Sequence, residues 1–531
     1  LGWVTSAEGA AAYRQIAGQP AAAARRQVTE LLHAAGALRG EPEPIRHAVK
    51  FYEYGQVPLE ILTTRQWYIR NGSRSPELAA ALLARGRELQ WHPEYMRTRY
   101  EHWVEGLTGD WLISRQRYNG VPVPVWYQVD AAGRIDEDHP IRPEPASLPV
   151  DPAADIPPGY RPEQRGQPGG FAADPDVMDT WATSSLTPQI AGGWPDDTDL
   201  MQRVFPMDLR PQAHEIIRTW LFYTVLRSQT EAGVLPWQHA AISGWILDPD
   251  RKKMSKSKGN AATPMDLLHE HGADAVRYWA ASARLGADTA FDLAQIKIGR
   301  RLAIKILNAT RFVLGIGPAP APAPACPADT AEITEPIDRA MLGRLAGVVA
   351  QCTAALEGYD HAAALEHAER FFWSFCDDYL ELVKARAYGE HGEAGAVSAT
   401  AALRHGLSVL LRLFAPVLPF VTEEAWSWWQ DGSVHRSSWP DAAELRDLAG
   451  AGDDAVLTAA AAAIGAIRQA KSQAGLPMRQ PVPALILTAD MSTRAALAAA
   501  SADVRSAGKV AEIRLQPVDG ATEPGYEVVL A

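Results

Sequence analysis

The decapeptide RKKMSKSKGN, residues 251–260, sets Arg251, Lys252, Lys253, Lys256 and Lys258 close together in a chain whose formal net charge is -12. A run of this kind is either a solvated surface loop or a cradle for a dense anion. Lysine is a compact point charge with three rotatable donors, which suits a polyphosphate whose shape changes during a reaction. Ser255, Ser257 and Gly259 keep the bulk between the cations small. The string does not contain GxxxxGK[ST], so a Walker-type phosphate loop is excluded. The chemistry it offers is neutralisation of charge on a phosphate chain.

The elements around the run place it where α/β proteins bind ligands. A strand is expected at Ala241–Leu247, followed by a turn at Asp248-Pro249-Asp250. A helix follows, with Thr263 as N-cap, Pro264 at its first position, Asp266 in its first turn and Gly272 past its end. Upstream, FPMDLR reads as a strand and His214–Thr230 as a helix, and helices fill 264–283. Strand–helix alternation from 177 to 290 argues for a parallel sheet. Before it, LEILTT, GDWLISRQ and VPVPVWY are short β-like runs, a helix lies near 76–90, and Pro, Gly and Asp mark 131–176 as a long loop or small insertion.

The pattern changes after about 292. A long helix spans 292–314, with an apolar stripe at Ile296, Ala303, Leu307 and Leu314, and with Lys297, Arg301 and Lys305 on another face. GPAPAPAPA, 317–325, reads as a semi-rigid polyproline-type linker. Helices are expected at about 336–357, 361–387, 398–414 and 422–430, with an Ala-rich one ending near 473. The last fifty or so residues read as strand, helix, strand, strand.

At ~150 residues per domain, 531 residues make roughly three or four domains. Hydrophobic residues at 47% and charged residues at 21% fit a globular protein with sizeable cores. No uninterrupted apolar run approaches the ~20 residues of a membrane span, and the first residues lack the pattern of a signal peptide. The sequence opens without Met, on what reads as domain interior, so a missing N-terminal portion is expected. Three cysteines, Cys326, Cys352 and Cys376, make neither a disulfide framework nor a CxxC metal pair. The cytoplasm is the default compartment. The acidic total argues against a protein that coats nucleic acid indiscriminately, while local basic faces still allow selective contact.

Lys253-Met254-Ser255-Lys256-Ser257-Lys258-Gly259-Asn260 resembles the signature loop of class I aminoacyl-tRNA synthetases. The flanks GDWLISRQRYNGVPVPVWY (109–127), DVMDTWATSSLTPQI (176–190), FPMDLRPQAHEIIRTWLF (205–222) and GWILDPDRKKMSKSKGN (244–260) resemble the valyl branch of that family. YLELVKARAY (379–388) and LFAPVLPFVTEEAW (413–426) resemble its helical anticodon-binding domain. The resemblance implies an α/β fold: the second half of a parallel Rossmann-like catalytic sheet, then an α-helical bundle for anticodon binding, then a small C-terminal α+β unit. Its segments are a remnant of the editing domain at 1–55, the catalytic part at 56–291, a basic helix and linker at 292–335, the bundle at 336–478 and the terminal unit at 479–531.

Further implications concern chemistry. The expected partners are ATP, valine and tRNA(Val), with Mg²⁺ arriving on the triphosphate and the protein acting as a monomer. Lys256 and Lys253 are expected to stabilise departing pyrophosphate, with Met254, Ser255 and Ser257 completing the ATP loop. Gln212, His214 and Glu215 are expected at the nucleoside, although His214 also suits a helix cap. Trp181 and Trp220 resemble the indoles that wall the amino-acid pocket; the competing expectation for each is plain core. Arg115 and Arg117 either reach the acceptor end of tRNA or pair with local carboxylates. Lys297, Arg301 and Lys305 either follow a phosphate backbone or form a solvated face. No metal ligands are assigned.

Two expected features are missing. None of the 14 histidines stands in the His-x-Gly-His motif that supplies the family's other ATP contacts. Most of the editing domain is also absent from the sequence; it removes threonine, because an apolar pocket for valine cannot strongly reject an isostere bearing a hydroxyl, a limit established for this enzyme family. The chain is therefore expected to be the C-terminal portion of a longer ligase and not to activate valine by itself. An isoleucine or leucine ligase, or a tRNA-binding remnant without chemistry, are the alternatives.

Overall fold

The computed structural model describes residues 6–43, 45, 48–51, 58–59, 63–254, 264–316, 333–518 and 523–530. The chain forms two compact units, Leu1–Gln66 and Trp67–Ala531. In the first, Ser6 caps the helix Ala7–Ile16 by accepting the Gly9 amide, and a second helix spans Ala21–Ala34. Neither helix buries a residue. The LEILTT run forms no strand among its described residues, and 60–62 lie outside them.

The second unit carries a three-stranded parallel sheet ordered Gln90–His92, Trp237–Ser243, Met207–Ala213. Trp237, Ala240 and Ile242 of the central strand are buried, as expected for a strand covered on both faces. The covering helices are Pro76–Glu88, Arg97–Glu105 and Phe222–Glu231, whose Leu82, Tyr100 and Phe222 are sealed from solvent. Ser75 starts the first of them by accepting the Leu78 amide ahead of Pro76. The helix expected at His214–Thr230 does not begin as an α-helix. A 3-10 turn, His214–Ile216, leads into a π segment, Ile217–Leu221, and only then into the α-helix. Single π turns of this kind concentrate at functional sites because they re-aim side chains.

Short antiparallel pairs flank this sheet: Tyr68–Ile69 with Trp111–Leu112, Ser114–Arg115 with Val177–Met178, and Trp126–Gln128 with Phe171–Ala173. The stretch 131–176, read as loop, thus contributes one strand, and its Phe171 is fully buried near Arg165, whose guanidinium lies 4.9 Å from the ring.

One hydrophobic core runs from Tyr278 through the helices Leu293–Leu314, Pro336–Glu357, His361–Ser374, Leu380–Ala387, Glu393–Phe414 and Asp454–Gln473 to Val482, Leu485, Leu497 and Val510 of the C-terminal sheet. That sheet orders Val510–Pro517, Val482–Ala489, Gly525–Val529, with one parallel and one antiparallel pair. Two helices, Met491–Ala499 and Ser501–Gly508, replace the single one expected. The helix Glu393–Phe414 is long and apolar enough to cross a membrane by composition, which counting uninterrupted apolar runs overlooked, but 67% of its most apolar window is buried in the bundle.

The apolar stripe expected on Leu293–Leu314 marks one margin of the inward face: Ile296 is buried, and Ala303, Leu307 and Leu314 are partly buried against the same core. The most deeply buried residues are Ile296, Gly299, Leu302, Ile306, Ala309, Thr310 and Val313. Gly299 sets this orientation: a Cβ there would stand 2.6 Å from the Tyr278 Cβ, so the helix seats its glycine against that side chain.

Beneath the bundle lies a buried charge cluster. The Arg386 guanidinium donates to Asp338 at 2.7 and 2.8 Å and to Asp503 at 3.0 Å; Asp338 also accepts from Tyr379 and Ser398 at 2.7 Å each. Burial alone would lower the arginine pKa, but the two carboxylates reverse this and raise it. Arg386 thereby joins the bundle to the Ser501–Gly508 helix. Arg386→Leu should leave two buried carboxylates without their cation and destabilise the chain by ~3–5 kcal/mol in urea unfolding. A change below ~1 kcal/mol, the scale of an exposed pair, would contradict a structural role for the cluster.

Candidate active site

Parallel pairing makes Met207–Ala213 and Trp237–Ser243 end side by side, with Gln212 opposite Ile242 and Ala213 opposite Ser243. Residues 212–215 and 244–245 therefore share the carboxyl edge of the sheet, where open α/β sheets bind ligands. Gly244 is required at the exit of the central strand, because a Cβ there would meet the Ala287 carbonyl oxygen at 2.2 Å. That close passage lets Asp288 accept the Trp245 amide at 2.8 Å.

Four side chains meet at this edge. Lys253 Nζ donates to Glu215 Oε2 at 2.6 Å and stands 4.6 Å from the Trp245 ring centre. Trp245 Nε1 donates to the same carboxylate oxygen at 3.1 Å. The buried His214 ring lies 4.8 Å from that of Trp245. Arg99 Nη1 is 3.3 Å from His214 Nδ1; since arginine only donates, Nδ1 accepts and a neutral ring carries its proton on Nε2. Gln212 is buried, and neither of its amide atoms has a hydrogen-bond partner among the described residues.

The Lys253 contact, foremost, holds the Glu215 carboxyl below its ordinary pKa. A depressed carboxylate pKa means the pair is intact above the ordinary value near ~4.3 and is lost as pH falls through the depressed one. Lys253 is delivered by a tight turn in which Lys252 N donates to Asp248 Oδ1 at 2.7 Å and Arg251 takes a φ of 60°. Met254 is partly buried. Lys256, Ser255, Ser257 and the N-cap expected at Thr263 lie outside the described residues.

Trp181 and Trp220 lie on adjoining elements. Trp181 lies in the short helix Thr180–Ser184 and packs on the hydrophobic core of the sheet. Trp220 Nε1 donates to the Ser184 carbonyl at the end of that helix, at 2.9 Å. On its other side the Arg210 guanidinium carbon stands 3.0 Å from the Trp220 ring centre.

The basic residues divide. Arg115 pairs with Asp179 at 2.9 Å and donates to two main-chain carbonyls, so the local-carboxylate alternative is the one seen for it; Arg117 is exposed. Lys297 and Arg301 are exposed, whereas Lys305 bonds Asp377 at 3.0 Å. Sequence reasoning did not single out Arg99, Arg210, Trp245 or Asp288. Arg210 and Trp245 lie inside quoted motifs; Arg99 and Asp288 are recognisable only from contacts between distant segments.

Residues 19–292 match the family model of tRNA synthetases class I (I, L, M and V), and residues 338–486 match that of the anticodon-binding domain of tRNA ligase. The chain is 59% identical over 532 residues to a valine–tRNA ligase of Salinispora arenicola, covering 97% of this chain and 61% of that protein. It is 60% identical over 516 residues to a valine–tRNA ligase of Thermobifida fusca, covering 97% and 58%. The chain thus spans about three fifths of the length of these relatives. Among solved structures, an Agrobacterium radiobacter LeuRS in a ternary complex with tRNA and LeuAMS aligns with a TM-score of 0.50 at 23% identity, covering 64% of this chain and 43% of that one, a likeness of fold.

The Glu215–Lys253 pair is testable by itself. Glu215→Gln should raise the reactivity of Lys253 toward an amine-acylating reagent at neutral pH, read by mass spectrometry. The expected gain is up to ~5-fold, the equivalent of one half-exposed ion pair. Unchanged reactivity would mean that the carboxylate does not hold the amine.

Proposed function

Because the chain belongs to the tRNA synthetases of class I (I, L, M and V), we propose that it acts as part of a valine–tRNA ligase, joining valine to tRNA(Val) at the expense of ATP. The observation that carries this reading is identity of 59 and 60% to valine–tRNA ligases over 97% of the chain. The match to an anticodon-binding domain at 338–486 supports tRNA as the second substrate.

In the first step the valine carboxylate attacks the α-phosphorus of ATP and the phosphoanhydride bond breaks, releasing pyrophosphate. In the second, the terminal ribose hydroxyl of tRNA attacks the valyl carbonyl and AMP leaves. The protein's part in the first step is placement and neutralisation of developing charge. Lys253 stands at the sheet edge already dehydrated on one side by Trp245 and bonded to Glu215. It exchanges that carboxylate for phosphate oxygens as the triphosphate enters, and Lys256 joins it. Gln212 presents a buried amide without internal partners, which favours a ligand able to satisfy it. His214, held in one tautomer by Arg99, and Glu215 border the nucleoside. Trp181 and Trp220 wall the valine side chain. Arg115, Arg117, Lys297, Arg301 and Lys305 meet tRNA phosphates, Arg115 and Lys305 after releasing their carboxylates.

Among the described residues no group of three or more His, Cys, Asp or Glu side chains could hold a metal ion. These residues do not form a resident metal site, so Mg²⁺ is proposed only as the companion of the triphosphate, and no step runs through it. Buried, unbridged thiols at Cys352 and Cys376 support a reducing compartment, the cytoplasm.

The test is amino-acid-dependent ATP–pyrophosphate exchange by the complete gene product. Valine should support it, and Lys256→Ala should slow it by ~10²–10³, the loss typical of one preorganised donor. Exchange driven by isoleucine and not by valine would overturn the assignment.

A further inference from the structure

Arg210 stands close to two indoles at the sheet. Its guanidinium carbon lies 3.0 Å from the Trp220 ring centre and 5.5 Å from that of Trp237, which is 1% exposed. Its Nε and Nη2 are sealed from solvent, and among the described residues neither has a hydrogen-bond partner. Guanidinium nitrogens normally find carboxylates or carbonyls when buried. Here the aromatic faces take that part, as a desolvated cation–π contact allows. Opposite Arg210 on the central strand is Ala240, small enough to leave room beside it. Burial without an anion also pulls the Arg210 pKa down to about 10, so the group remains charged at neutral pH.

The location gives this contact a consequence. Trp220 belongs to the π segment Ile217–Leu221, whose wide turn leaves the ring to be fixed by its neighbours. Its Nε1 donates to the Ser184 carbonyl and, at 3.4 Å, to Thr187 Oγ1 on one edge, and Arg210 lies across its face. Ser184 closes the helix that bears Trp181. Resting on the reading of Trp220 as a wall of the amino-acid pocket, we propose that Arg210 is a positioning residue that sets the depth and selectivity of that pocket by stacking on the hidden face of Trp220. It touches no substrate. Its planar cation presses the indole against the 180–184 helix, so the wall neither tilts nor retreats when a larger branched side chain enters.

Two readouts test this, one independent of catalysis. In fluorotryptophan-labelled protein, the Trp220 resonance is identified by its loss in Trp220→Phe. Arg210→Met should shift and broaden that resonance with the fold intact by circular dichroism, and Arg210→Lys, which keeps charge without the flat stack, should give an intermediate spectrum. In pyrophosphate exchange by the complete gene product, Arg210→Met should raise KM for valine by up to about thirtyfold, the weight of a desolvated cation–π pair. KM for ATP should stay within twofold, and the preference for valine over isoleucine should fall. An unmoved Trp220 resonance in a folded Arg210→Met variant overturns the inference. So does a rise in KM for ATP with KM for valine unchanged, which would make Arg210 an anion site. Were the parent protein to show no valine-dependent exchange, the pocket reading itself would fall, while the resonance would still decide whether Arg210 fixes Trp220.

Discussion

Side-by-side parallel pairing of Met207–Ala213 with Trp237–Ser243 is the constraint from which the site follows. The register puts Arg210 opposite Ala240 and Gln212 opposite Ile242. A slip of one residue would turn Arg210 and Gln212 to the other face of the sheet and break the stack on Trp220. Because the strands run the same way, both exit at one edge, and residues thirty-eight apart in sequence, Glu215 and Lys253, come within 2.6 Å. An antiparallel pair would have sent one of these segments to the opposite end. Gly244 then allows the outgoing chain to brush past 287–288, which puts Trp245 between His214 and Lys253.

The net charge of -12 and the basic run at 251–260 are reconciled by the way cations are held. Lys253 rests on Glu215, Arg115 on Asp179 and Lys305 on Asp377. The Lys253 and Lys305 pairs are exposed on both partners, so solvent screens them and their strength is modest, whereas Asp179 is itself buried beneath a half-buried Arg115. A phosphate with more charge can displace such a carboxylate, whereas a cation locked in a buried cluster cannot be recruited. Arg386, enclosed by Asp338 and Asp503, is of the second kind and serves the fold. Burial, more than residue type, separates the cations locked into the fold from those held loosely at the surface.

What was legible in the sequence was contiguous. The flanks of the lysine run carry their chemistry in unbroken strings, so the turn at 248–250 and the helices after it could be placed from local signals; the single strand expected at Ala241–Leu247 is instead the end of Trp237–Ser243, a break at Gly244-Trp245, and a separate short strand, Ile246–Leu247, paired with Thr289–Ala290. The family, the parallel sheet and the helical bundle followed from the same strings. Roles created by distant contacts were not legible. Arg99 lies in a helix of mixed charge, and nothing near it announces that it will donate to His214. Arg210 occupies a strand position where an arginine would ordinarily be taken as exposed. The centre of the inward face of Leu293–Leu314 was hidden for a related reason: the expected stripe lies at its margin, and the orientation is set by Tyr278 seating against Gly299, a contact with another helix. The π segment at 217–221 was also hidden, since propensity does not distinguish it from an ordinary turn.

The join between sheet and bundle extends the same logic, because it is built on backbone groups. Asp274 accepts the amides of Phe420 and Val421 at 3.2 and 2.7 Å, and Arg277 donates to the carbonyls of Pro416 and Val417 at 2.8 and 3.1 Å. Backbone partners cannot rotate away as a side chain does, and the burial that raises the Asp274 pKa also shields the contact from water. On the other side, the Tyr359 ring lies 4.1 Å from that of His92 and 5.0 Å from that of His239, residues of two neighbouring strands. His239 lies on the strand that exits through Gly244 to Trp245. The bundle is thus seated on the element that delivers the indole beside Lys253, and the join between sheet and bundle rests on hydrogen bonds to main chain rather than on exposed ion pairs such as Arg284–Glu366, which salt would loosen.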